Sequence, residues 1–279
     1  MAAQFKSAED VSTAEGKQYH IGLKPGDLAP YVLLCGDPAR VHKVAGYFQK
    51  ARPPIAHREY VTVTGEYKGV PISVMATGMG PDNTEIALVE IGQILKKPTL
   101  IRIGTSGGLL KEADLGDLCI SSGAVRLENT STFFVHEGYP AVAHHEVVAA
   151  LLEAASRKGF QYHLGLTATA PGFYGPQGRK VPGFPPRDPL LPEKLSAMNV
   201  ANFEMESSTL FILSTLAGFR SGAVCSMINN RHKNVFIDEE GIKQSEKRCI
   251  ETGLEAAVIL HQMDQKRGEK RHWLPSMGI

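Results

Sequence analysis

Pro98-Thr99-Leu100-Ile101-Arg102-Ile103-Gly104-Thr105-Ser106-Gly107-Gly108-Leu109-Leu110 is the stretch on which the reading of this chain turns. Thr99 to Ile103 is short, apolar and partly β-branched, which suits a strand buried on both faces of a parallel sheet. Arg102 breaks that run, and a glycine- and hydroxyl-rich segment follows it at once. A guanidinium inside an apolar strand is costly unless an anion meets it. A loop over Gly104–Gly108, at the C-terminal end of such a strand, would lie where α/β sheets hold their ligands. Two readings of Arg102 follow: an ion pair with a core carboxylate, or a ligand for an anionic substrate with Thr105 beside it.

Working outward, the same pattern recurs. Tyr31–Leu34 reads as a buried strand running into Cys35-Gly36-Asp37-Pro38-Ala39-Arg40. There Asp37 suits a helix N-cap and Pro38 the first helical position. Tyr60–Tyr67 alternates as a strand, turns at Lys68-Gly69, and returns as Ile72–Ala76, ending in Thr77-Gly78-Met79-Gly80. Helices are expected over 82–95, 144–158, 193–198, 207–217 and 239–264, and further strands over 118–121, 124–127, 162–169, 202–206 and 221–228. Residues 170–192 form a long proline-rich loop, a length usually tied to function. Alternating strands and helices imply a single α/β domain with a mixed, mostly parallel sheet flanked by helices. The expected divisions are a flexible lead (1–17), the domain (18–266) and a basic tail (267–279).

Bulk properties narrow the function. A net charge of +1 over 279 residues argues against a broad nucleic-acid or membrane surface, though not against a local basic pocket. Cys35, Cys119, Cys225 and Cys249 lie far apart, so neither a zinc motif nor a disulfide framework is indicated. No signal-peptide core or membrane span is evident, and a reducing cytoplasm is the expected location. His136, His144 and His145 stand near Glu137 and Glu146 but lack the spacing of a metal site. The turns match neither a Walker A loop nor GxGxxG.

Three groups of residues carry chemistry. Arg40, Arg58 and Arg102 lie near the glycine-rich strand ends, and arginine is suited to bidentate oxyanion binding. Glu204-Met205-Glu206, read as a strand, places two carboxylates on one face, able to accept from sugar hydroxyls; alone, it would read rather as a solvated strand end. Phe173-Tyr174-Gly175-Pro176-Gln177-Gly178-Arg179 offers an aromatic plane, an amide and a guanidinium, which together could read a heterocycle bearing an imide. By itself it would pass for an ordinary surface loop.

CGDPAR, HREY, TGMG, LIRIGTSGG, FYGPQGR and NFEMES occur in that order, and together they resemble the nucleoside phosphorylase family, in its uridine phosphorylase branch. The resemblance spans about residues 19–260. It implies reversible phosphorolysis of uridine to uracil and ribose 1-phosphate, in pyrimidine salvage, by a hexamer built as a trimer of dimers. It assigns phosphate to Gly36, Arg40, Arg102 and Thr105, with Arg58 reaching the neighbouring subunit's site. It assigns ribose to His20, Met205 and Glu206, and the base to Phe173, Gln177 and Arg179, with Arg231 and Glu204 closing the base end. Arg102, Thr105, Gln177 and Arg179 are the expected catalytic group. No resident cofactor is implied; some relatives hold potassium, for which Glu59 would be the ligand. The absence of an Asp in Ile228-Asn229-Asn230-Arg231 favours a pyrimidine over a purine. The alternatives are a purine or broad-specificity phosphorylase, a nucleosidase, or a non-catalytic nucleoside-binding protein. The chain departs from the family at Gly175-Pro176, at Asn83, and at Asn229, where an aliphatic residue commonly packs by the base.

Overall fold

A computed structural model of the protein describes residues 5–279. The chain runs β1 (Tyr31–Cys35), α1 (Pro38–Ala45), β2 (Ile55–His57), β3 (Tyr60–Tyr67), β4 (Val70–Ala76), α2 (Pro81–Ile94) and β5 (Thr99–Gly108). It continues through β6 (Leu118–Arg126), β7 (Ala141–Val142), α3 (His145–Arg157), β8 (Tyr162–Thr169), α4 (Leu191–Ala197) and β9 (Val200–Glu204). It closes with α5 (Ser207–Ala217), β10 (Arg220–Asn230), β11 (Val235–Phe236) and α6 (Glu239–Arg267).

All eleven strands join one sheet, in the order β11-β10-β6-β8-β9-β5-β1-β4-β3-β2, with β7 beside β6. β5 also pairs with β10, so β5, β10, β6, β8 and β9 close into a ring. β1 lies parallel to β4 and β5, while the β3–β4 hairpin is antiparallel. The sheet is therefore mixed, as its sequence pattern implied.

Strand alternation sorts the core into two sides. Leu33, Ile101 and Ile103 pack with Val41 and Val44 of α1, Val147 and Leu151 of α3, and Leu254 of α6. Val32, Leu34 and Leu100 pack with Leu88 and Ile91 of α2 and with Leu210 and Phe211 of α5. Arg102 follows the alternation of Leu100, which turns it toward α2 and α5. Both faces of β1 and β5 are thus covered, and their sequences read as nearly unbroken apolar runs.

Two expectations need correction. Gly104–Gly108 is not a loop: β5 continues through it, parallel to β10 from Gly104↔Cys225 to Gly108↔Asn230. The glycines serve close packing, since a Cβ on Gly104 would stand 2.9 Å from Nη2 of Arg102. Second, β9 ends at Glu204, and Glu206 is the N-cap residue of α5 rather than a strand residue. The described part of the 1–17 lead carries short backbone bridges. Phe5 and Thr13 form a bridge, as do Ser12 and Gln18, and Ser12, Thr13 and Gln18 are buried. Phe5 also packs edge-on against Tyr19, ring centroids 5.1 Å apart; residues 1–4 lie outside the described residues.

The tail also docks, through Trp273 N donating to Glu146 Oε1 at 3.0 Å. It brings His272 to His145 and Glu146, with ligand atoms within 4.8 Å of one another. The Glu146 carboxylate is already engaged there, by Arg220 at 2.9 Å and Arg267 at 3.5 Å.

His144 caps α3, its Nδ1 accepting from Glu146 N. Burial, then the adjacent His145, pushes its pKa down to about 4 from 6.5. The folded protein therefore favours neutral His144, and this contribution is full above pH 6.5 and lost as the pH falls toward 4. His144→Asn keeps a capping side chain without the charge. The thermal midpoint of the wild type should fall more steeply over that interval than that of the variant; parallel profiles would clear His144 of the effect.

Candidate active site

The site lies at the C-terminal ends of β1 and β5, against the start of α5. Asp37 caps α1, its Oδ1 accepting from Ala39 N at 2.8 Å, with Pro38 opening the helix. That turn carries Arg40 back under the sheet, where it is buried. Arg40 Nε donates to Glu246 Oε1 of α6 at 2.6 Å, and Nη1 donates to Ile103 O at 3.1 Å. Lys43 also bonds Glu246. Burial opposes the Glu246 charge, but Lys43 and Arg40 outweigh it and hold the carboxyl below its usual range.

Arg102 is gripped by two carboxylates. Its Nε donates to Glu204 Oε2 at 2.9 Å, and its Nη2 meets Glu206 Oε2 at 2.5 Å. Burial disfavours the guanidinium charge, yet Glu206 and Glu204 raise its pKa further. Glu204 also accepts from Thr169 Oγ1 at 2.6 Å, Glu206 N at 2.9 Å and Ser207 N at 2.9 Å. Glu206 Oε1 accepts from Gly80 N, at the start of α2, at 2.8 Å. Burial raises the Glu206 pKa above the usual carboxylate value, against the pull of Arg102.

One cavity of about 510 Å³ gathers Gly36, Arg40, Arg102 and Thr105 at one side and Phe173, Gln177 and Arg179 at another. Met205 and Glu206 share its wall, as does Glu59. Gln177 is buried despite lying in the proline-rich loop. Its Oε1 accepts from Arg179 Nη1 at 2.7 Å, and the Arg179 guanidinium lies 3.6 Å over the Phe173 ring. Gly178 between them adopts φ +69°, and a Cβ there would press within 2.9 Å of Pro192. Burial, then Arg231, pushes the Arg179 pKa down to about 10. Two guanidiniums that repel each other favour a ligand carrying negative charge between them.

Other expected residues fall elsewhere. Arg231 lines a neighbouring cavity of about 680 Å³ that shares Phe173, Arg179 and Asn229 with the first. Glu204, expected with it at the base end, lines the first cavity and is engaged by Arg102, Thr169 and the start of α5. Within one chain, His20 and Arg58 also stand outside the 510 Å³ cavity. The His20 ring bonds Glu90 at 2.7 Å, and Arg58 lies 4.8 Å over the Tyr19 ring.

Two residues that hold the site were missed from sequence. Glu246 left a usable signal, since it occupies the same helical stripe as Cys249, Ile250, Gly253 and Leu254 of α6, all buried. Thr169 left none, being one of several hydroxyls in a strand.

The phosphorylase superfamily model matches residues 30–258. The chain belongs to this superfamily. A uridine phosphorylase of Thermococcus kodakarensis is 46% identical over 99% of this chain and 99% of its own. The Escherichia coli uridine phosphorylase is 36% identical, covering 86% of this chain and 96% of its own. A solved nucleoside phosphorylase of Trypanosoma brucei, described as showing uridine phosphorylase activity, superposes with a TM-score of 0.84. It is 28% identical and covers 88% of this chain and 98% of its own. The superfamily's helix-flanked mixed sheet is the fold seen here. Among the described residues no helix is long and apolar enough to cross a membrane.

Removing Arg102 would leave Glu204 and Glu206 buried and uncompensated, and breaking a buried pair costs roughly 3–5 kcal/mol. Arg102→Ala should lower the free energy of urea unfolding by about that amount, and Arg102→Met combined with Glu204→Gln by clearly less. Equal losses in the two proteins would show that the ion pair does not anchor this region.

Proposed function

We propose that the protein is a uridine phosphorylase, converting uridine and phosphate reversibly to uracil and ribose 1-phosphate. The observation that carries this reading is the single cavity that joins Arg40, Arg102 and Thr105 to Phe173, Gln177 and Arg179, with Met205 and Glu206 on its wall. The kinship with uridine phosphorylases over nearly the whole chain supports it.

Phosphate is held by Arg40, Arg102, Thr105 and the Gly36 turn. Arg40 is fixed through Nε and Nη1 and Arg102 through Nε and Nη2, which leaves Nη2 of Arg40 and Nη1 of Arg102 to meet an oxyanion. Ribose lies against Met205, with a hydroxyl donating to Glu206. A phosphate oxygen attacks C1′ as the C1′–N1 bond breaks, and the bond's electron pair leaves with uracil. Positive charge develops on the sugar beside the phosphate, and negative charge on the base. Arg179 and the Gln177 amide N–H face that developing anion. Donors already oriented in a largely enclosed site reorganise little during reaction, which is how such groups lower a barrier.

The assembly is proposed as a hexamer of paired subunits, with His20 and Arg58 completing a neighbour's site; their position outside this chain's own cavity supports it. A place in pyrimidine salvage follows from the reaction. The four cysteines, all unpaired and buried, suit a reducing cytoplasm.

Uracil release should require phosphate, and turnover in its absence would instead indicate a nucleosidase. Arg40→Met should raise the phosphate KM by roughly 10- to 100-fold, the loss of a charged hydrogen bond. Lys43 remains as a partner for Glu246, so the variant should fold, and circular dichroism checks that it does. Gln177→Ala should reduce the preference for uridine over inosine, measured as the ratio of kcat/KM; an unchanged ratio would remove Gln177 from base recognition.

A further inference from the structure

Asn229 and Asn230 end β10 side by side, and their amides are used differently. Asn230 is satisfied at both ends: Nδ2 donates to Leu110 O and Ala113 O, and Oδ1 accepts from His232 N and Lys233 N. Asn229 is 5% exposed, and its Oδ1 is sealed off without a partner. Oδ1 lies against Gly107, where a Cβ would stand 2.9 Å away. Among the described residues no acceptor meets its Nδ2, so the donor end of this amide is the one a ligand could complete.

The backbone turns this amide to the site. β10 slips register against β5 between Met227↔Ser106 and Asn229↔Gly107. Such a bulge inserts one extra residue and re-aims side chains. In a regular strand Ile228 and Asn229 would face opposite ways. Here both line the cavity that holds Gln177 and Arg179. Asn229 also lines the neighbouring cavity, whose wall includes neither Arg40, Arg102 nor Glu206. It therefore stands at the end of the site away from the residues proposed for phosphate and ribose.

Building on the uridine phosphorylase reading, we propose that Asn229 is a specificity-determining residue whose Nδ2 donates to the 4-carbonyl of the pyrimidine. With Oδ1 enclosed, Nδ2 is the amide end left to a ligand. C4 lies across the ring from N1, so its oxygen is the polar atom farthest from ribose, the direction in which Asn229 stands. Arg179 and Gln177 supply charge and hydrogen bonds for catalysis, and Asn229 adds a neutral donor that tests for an oxo group. A 4-amino base presents a donor to this donor and is rejected.

The test compares uridine with 4-thiouridine, whose sulfur is a poorer acceptor, in the wild type, Asn229→Leu and Asn229→Ser. With phosphate saturating, kcat/KM for uridine should fall about tenfold in both variants, as for one lost hydrogen bond. The fall for 4-thiouridine should be less than threefold, by about the same reasoning, and the phosphate KM should not move. Equal falls for the two substrates, or a rise in phosphate KM to match, would overturn the proposal, because a merely structural amide affects both alike. Should Asn229→Leu fail to fold, Asn229→Ser makes the same comparison with a smaller side chain. Wild-type inactivity on uridine would sink the enzymatic reading itself; activity with an unaltered substrate ratio sinks only the role of Asn229.

Discussion

A buried guanidinium shared by two carboxylates holds this site together. Arg102 leaves the middle of β5 and meets Glu204 at the end of β9 and Glu206 at the start of α5. Glu206 reaches on to Gly80 at the head of α2, and Glu204 takes the hydroxyl of Thr169 from β8. Three strands and two helix starts are thus tied to one side chain. None of these charges would be tolerable alone away from water. Together they satisfy one another and fix the height at which β5, β9 and α5 meet. The cavity opens beside that knot, so its geometry is set by the same contacts that make the burial possible.

Arg40 repeats the arrangement on the other side of the sheet. Its turn is shaped locally, by Asp37 and Pro38, but its guanidinium is aimed by Glu246, more than two hundred residues later in α6. The two arginines approach one cavity from opposite layers, each restrained by an acid from a different part of the chain. That division lets a pair of like charges stand close to one another while each keeps its own counter-charge. The base end is built differently, from a loop whose residues restrain each other: Arg179 stacks on Phe173 and bonds Gln177. One end of the site is set by the sheet and the other by local contacts.

Much of this was legible in the residues. The apolar runs of β1 and β5 announced strands covered on both faces, and Asp37-Pro38 announced the start of α1 with its cap. Arg102 posed a choice between core ion pair and anion ligand, and its contacts are those of the ion pair while its place is on the cavity wall. The strand at Gly104–Gly108 was misread because glycine-rich sequence usually signals a turn; here the absent side chains make room for Arg102, Asn229 and Met227, neighbours that no local pattern names. That Glu204 meets Arg102 was hidden for a similar reason. Which cation a carboxylate meets depends on where β5 and β9 cross, and sequence spacing does not carry that.

The way the sheet closes has a consequence for how this protein meets others. Five of its eleven strands sit in a ring, and such strands have few unpaired backbone groups to offer. The strands at the two ends of the order, β2 and β11, have three and two residues, and β7 beside β6 has two. Short borders like these are a poor template for an incoming strand. Recognition of another chain is thereby left to side chains on the outer faces. Faces such as the one that exposes Leu164 and Leu166 of β8 can select a partner by shape and polarity, whereas a bare strand border would accept almost any extended peptide.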